Sequence, residues 1–171
     1  NQNNIKIEAE TMTIVDDSTN YWMFLIYTLY ILITSILLIR FVRNILKLRS
    51  KAKSTTNIDY KEAQLVLVKE KTLPYTFLNS IFVNETEYHT RKIEDELYTH
   101  ELIHVTQKHT LDILLIETLK VLFWFNPIFI FYKKAIQLNH EFLADEKVVT
   151  SYNNVPFYQS LLLSKANENQ T

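Results

Sequence analysis

From Tyr21 to Ile39 the chain reads YWMFLIYTLYILITSILLI, without one charged residue. A helix of about 20 apolar residues spans the hydrocarbon core of a bilayer, so residues 21–43 are predicted to form a transmembrane helix. Tyr21 and Trp22 at its start suit an interfacial aromatic belt. The competing reading is a core helix, but a chain of 171 residues has little room to bury a helix that is apolar all round. A secretory signal fits less well, because the polar, acidic segment 1–20 precedes the run and no small-residue cleavage site follows it.

Next comes RFVRNILKLRSKAK, with Arg40, Arg43, Lys47, Arg49, Lys51 and Lys53. By the positive-inside rule this flank is cytoplasmic and residues 1–20 are extracytoplasmic. The basic cluster also suits anionic lipid headgroups, which makes membrane lipid an expected partner. A nucleic-acid patch is the rival reading. With a net charge of −1 there is no overall basic excess, and no direct nucleic-acid partner is expected.

Two absences narrow the chemistry. Cysteine is missing, which removes disulfides, thiolate metal sites and cysteine nucleophiles. Glycine is missing too, so the chain cannot present a P-loop, a Rossmann fingerprint or a Lys-Thr-Gly element. Ser50 and Lys53 make an S-x-x-K spacing, but it falls in the basic run without partner motifs and is a chance match. Any metal must be held by His, Asp or Glu.

Residues 44–62 are read as a basic juxtamembrane linker, including STTNIDYKE, and residues 63–165 as one cytoplasmic domain with a tail at 166–171. AQLVLVKE (63–70) and TFLNSIFVN (76–84) are strand candidates, separated by a turn at Pro74. The second could serve as an exposed sheet edge that holds an extended peptide, or equally as part of a plain core hairpin. From about Arg91 the period becomes helical, with Ile93, Leu97, His100 and His104 on one face and acidic residues 94–96 in the first turns. The stretch from Ile113 to Tyr132 is apolar but interrupted at Glu117, Lys120 and Asn126-Pro127, and is expected to form a helical hairpin against the membrane or the anchor. A further helix is expected over 133–149, then a polar loop at TSYNN. The expected fold class is α+β and mainly helical: an N-terminal transmembrane helix, a small β-hairpin or sheet, then helices.

Those helices carry the segment THELIHVTQKH, residues 99–109. Helical positions four apart lie about 40° apart around the axis, which lets His100 and His104 reach one ion. Glu101 is one step round and can stand beside a bound water without ligating the metal. That is the H-E-x-x-H arrangement of zinc metallopeptidases, in which zinc lowers the pKa of the water and the carboxylate takes its proton. His109 lies about 180° round a continuous helix from His100, and is expected at the surface or as a partner elsewhere. A third ligand is needed, and NHEFLADE offers Glu141, with Asp145 on the same helical face to orient a ligand histidine. His140 competes for the role, but only one of the two can face the ion. A solvated acidic helix face is the bland alternative for Glu141 and Asp145.

Taken together, THELIHVTQKHTLD, FWFNP, KKAIQLNHEFLADE and LPYTFLN resemble the integral-membrane zinc peptidases of the BlaR/MecR antirepressor family, over roughly residues 21–165. The resemblance implies a bacterial gluzincin in the cytoplasmic membrane with its zinc domain facing the cytoplasm. His100, His104 and Glu141 would ligate Zn2+ and Glu101 would be the base. It further implies a protein substrate, a cytoplasmic BlaI/MecI-type transcriptional repressor or the chain itself, and it is compatible with a homodimer. The sequence departs from the family in having no penicillin-binding sensor domain and no second clear span after the zinc region. That suits an excised fragment or a sensor-less branch, and β-lactam sensing is not carried over. The alternative function is a non-catalytic membrane signalling or scaffold module that keeps a relic peptidase fold.

Overall fold

The computed structural model describes residues 21–168, so the expected extracytoplasmic segment 1–20 lies outside the described residues. The chain divides into a unit ending at Ile33 and a unit beginning at Thr34. Helix α1 (Tyr21–Ser54) runs through that boundary and buries none of its residues. In the first unit Trp22, Phe24, Ile26 and Tyr27 are exposed on every side of the helix. Thr28 satisfies its hydroxyl internally by donating to the Phe24 carbonyl at 2.8 Å, as an apolar setting demands. Among the described residues α1 is the one helix long and apolar enough to cross a membrane, consistent with an anchor.

The second unit is built on a four-stranded sheet: β1 (Asn57–Tyr60), β2 (Ala63–Val68), β3 (Tyr75–Phe77) and β4 (Ser80–Asn84), in the order β1-β2-β4-β3. β2 and β4 are parallel and the outer pairs antiparallel. Successive side chains of a strand point to opposite faces, and β2 buries both sets. Leu65 and Leu67 join Ile81, Val83, Ile93 and Val105 on one face. Val66 and Val68 join Phe77 and Phe82 on the other, covered by Ile45, Leu48 and Ala52 of α1. Phe82 is fully buried and stacks on Tyr75 with centroids 4.8 Å apart.

Several boundaries differ from the sequence reading. STTNIDYKE is not all linker, because α1 continues to Ser54 and residues 57–60 pair with β2 as Ile58 and Tyr60 pack on the core. TFLNSIFVN is two strands rather than one, reversed at Leu78, which adopts φ 53°. A short α2 (Glu85–His89) follows, capped by Asn84, whose Oδ1 accepts from the Glu87 amide at 3.0 Å.

The helix carrying the histidines, α3 (Asp95–Thr106), ends earlier than its periodicity implies. Lys108 takes a left-handed conformation at φ 56°, and α4 (His109–Leu122) starts directly after it. A non-glycine residue there costs roughly 1–2 kcal/mol, and a glycine-free chain must build its left-handed turns from such residues. The expected hairpin is formed by α4 and α5 (Ile128–Tyr152), which pack together with Asn126-Pro127 at the turn. α5 is a single helix that begins at Ile128, ahead of the start expected at 133, and runs through Thr150–Tyr152 of the expected loop. Asn153, at φ 50°, then caps it before α6 (Val155–Glu168), which extends into the stretch read as a tail. The fold is α+β and mainly helical.

Candidate active site

His100 and His104 lie on consecutive turns of α3, with their Nε2 atoms 3.1 Å apart. α5 packs against α3 and brings Glu141 to both. Its Oε2 is 3.3 Å from His100 Nε2 and its Oε1 is 3.8 Å from His104 Nε2. One donor atom from each of these three residues falls within 4.8 Å of the other two, the kind of group that could hold a metal ion. His140 points elsewhere: it is buried, with Nε2 3.0 Å from Asp112 Oδ2. The helical 100° step between neighbours separates it from Glu141, as the sequence reading required.

Behind His100, Asp145 Oδ1 lies 3.1 Å from Nδ1. Tyr158, buried on α6, joins them: its hydroxyl donates to Asp145 Oδ1 at 2.6 Å and lies 2.9 Å from His100 Nδ1. Glu101, beside the cluster, accepts from the Thr76 hydroxyl of β3 at 2.7 Å. The same hydroxyl lies 3.1 Å from the Glu101 carbonyl oxygen, so one threonine ties the sheet edge to the helix.

His109 is not at the surface. Because the chain breaks at Lys108, the His109 ring turns back and its Nδ1 meets His104 Nδ1 at 2.7 Å. Its Nε2 lies 2.9 Å from Gln107 Oε1, and its ring stacks on His140 at 3.8 Å.

The electrostatics follow from this crowding. Burial resists a charge on His100, but the hydrogen bond it donates to Glu141 and the charges of Glu101, Glu141 and Asp145 outweigh it and hold the imidazole above its usual value. Glu141 responds in kind: its hydrogen bond to His100 keeps the carboxyl below the usual range against partial burial. Burial and the neighbouring His100 push His104 down to about 4. Burial, then His140, lowers His109 as well. Burial raises the carboxyl of Glu101, with the Thr76 hydrogen bond opposing it.

Glu101, His104, His109, His140 and Glu141 line a cavity of about 710 Å³. Glu101, His104 and Glu141 form its polar part, while Phe41, Ile45, Ile113 and Leu114 supply apolar walls. Tyr75, Thr76 and Phe77 of the edge strand line it too.

Sequence reasoning named His100, Glu101, His104, Glu141 and Asp145, and the fold gathers all five. It missed Tyr158, and Thr76 although that residue stands within the quoted LPYTFLN, and it misplaced His109. For Tyr158 the only signal was a tyrosine near the apolar SLLL run of the last helix, which by itself reads as core.

A search of curated proteins returns no match. The family model described as BlaR1 peptidase M56 matches residues 1–170, which takes in the anchor helix, the sheet and every residue of this cluster. A peptidase family of this type accords with an apolar anchor helix and a His-His-Glu group beside a second, half-buried glutamate, and the chain belongs to the BlaR1 peptidase M56 family.

Proposed function

We propose that the chain is a membrane-anchored zinc endopeptidase that cleaves a cytoplasmic regulatory protein, either a BlaI/MecI-type repressor or the chain itself. The observation that carries this reading is the convergence of His100, His104 and Glu141 within 4.8 Å, with Glu101 poised beside them. Two imidazole nitrogens and one carboxylate oxygen are a three-ligand set of the catalytic type, and no thiolate competes. Zinc held there would polarise a peptide carbonyl and supply a nucleophile at neutral pH.

The remaining work falls to the chain's own residues. Glu101 takes the proton of the attacking water and returns it to the departing amine. Its burial brings the carboxyl nearer to the working pH, and Thr76 fixes its direction. Asp145 and Tyr158 hold the His100 ring with Nε2 turned towards Glu141. β3, at the edge of the sheet and lining the same cavity, can align an extended peptide by strand addition.

The basic residues from Arg40 to Lys53 support a cytoplasmic placement of the cavity. Phe125, Ile128, Phe131 and Tyr132, exposed at the tip of the α4–α5 hairpin, support contact with lipid. Glu101→Gln tests the proposal. The variant should retain zinc and lose proteolysis, self-cleavage included, and comparing cytoplasmic proteomes of cells carrying each form would name the substrate. Undiminished cleavage by Glu101→Gln would remove Glu101 from the chemistry and the reading with it.

A further inference from the structure

His104 can ligate an ion through Nε2 only if its ring proton sits on Nδ1. The orientation suits this, since Nε2 faces Glu141 Oε1 and His100 Nε2, while Nδ1 turns inward to His109. Two ring nitrogens 2.7 Å apart share one proton, so one of them must present a bare lone pair. Gln107 decides which. Its Oε1 can only accept, so the His109 Nε2 at 2.9 Å carries a hydrogen, and the neutral ring leaves Nδ1 bare. The proton between the two rings therefore belongs to His104 Nδ1, and the lone pair of His104 Nε2 is left free for a metal.

Granted the zinc site proposed above, we infer that His109, set by Gln107, is a positioning residue that selects the metal-binding tautomer of His104. The surroundings fix His109 for this task. Lys108 supplies the left-handed turn that sends the ring back towards α3. His140 stacks flat against it at an interplanar angle of 6°, and is itself held by Asp112. Three helices thus meet on one imidazole. The two histidines of the cluster are consequently supported by different chemistry: a carboxylate and a tyrosine hydroxyl behind His100, a neutral imidazole behind His104.

The test uses the full chain in detergent, first freed of metal and then titrated with zinc against a competing chelator. His109→Phe fills the space without an acceptor and should weaken zinc binding by roughly 10–100-fold. In His109→Asn the side-chain oxygen occupies the place of the imidazole Nδ1 and should restore most of the loss, which a merely space-filling role would not do. Imidazole nitrogen NMR of the metal-free wild type at alkaline pH supplies an independent readout that no substitution can upset. It should show His104 protonated on Nδ1 and His109 on Nε2. Equal zinc affinity in wild type and His109→Phe, or the opposite tautomers in the wild type, would overturn the inference. A wild type with the expected tautomers but no zinc affinity would instead sink the zinc proposal and leave the relay standing.

Discussion

Thr76→Val isolates the link between sheet and base. Valine keeps the shape and strand preference of threonine but removes the hydroxyl that donates to Glu101 Oε2 at 2.7 Å. A hydrogen bond to a charged, buried partner contributes about 1.5–3 kcal/mol. For a chain of this size each kcal/mol moves Tm by about 2–4 °C, so the variant should unfold roughly 3–12 °C lower at neutral pH. The hydrogen bond favours the ionised carboxyl, so its contribution is present above the Glu101 pKa and fades as pH falls through it. The gap between variant and wild type should therefore narrow in acid. The carboxyl midpoint itself should move up, because burial is then opposed by one hydrogen bond fewer. Thermal unfolding of the full chain in detergent, at neutral and at mildly acidic pH, reads the first two effects, and carbon NMR of the labelled carboxyl reads the third. Equal melting of the two proteins at neutral pH, or a gap that persists unchanged in acid, would refute the role given to Thr76.

Other outcomes follow from the same geometry. Phe82→Ala empties a site with no solvent exposure and loses the stack on Tyr75; it should cost about 3–5 kcal/mol in chemical denaturation. Tyr158→Phe deletes the hydroxyl shared by Asp145 and His100 and should weaken zinc binding roughly 10-fold while the fold survives, as judged by circular dichroism. In the metal-free protein, His104 takes up its proton near pH 4 when folded and near 6.5 when unfolded. The unfolded state therefore binds more protons between those values, and the stability this group contributes is present above 6.5 and lost as pH falls towards 4. His104→Gln should flatten that part of the stability curve; His100, shifted the other way, contributes stability that is present below 6.5 and lost as pH rises above it.

The motif on α3 was legible because ligand spacing on a helix is a local property: residues four apart meet whatever the fold does around them. Glu141 and Asp145 were legible for the same reason as a pair, although only the packing of α5 on α3 brings them to the histidines. The strands were readable as apolar runs, but not the reversal at Leu78 or the pairing of Asn57–Tyr60. Leu78 bears no mark of a left-handed turn, and β1 half-buries only alternate residues. His109 was misread because periodicity assumes an unbroken helix. The break at Lys108 is a tertiary choice made without glycine, and it reverses the conclusion drawn from the spacing. Tyr158 and Thr76 became visible only once α6 and β3 were placed against α3.

Metal content of the purified full chain, measured beside that of Glu141→Gln and His104→Ala, bears most directly on the central claim. The account predicts about one zinc per wild-type chain, strongly reduced in both variants. Zinc retained in full by both variants, or a wild-type chain that takes up none from zinc-supplemented buffer, would contradict it.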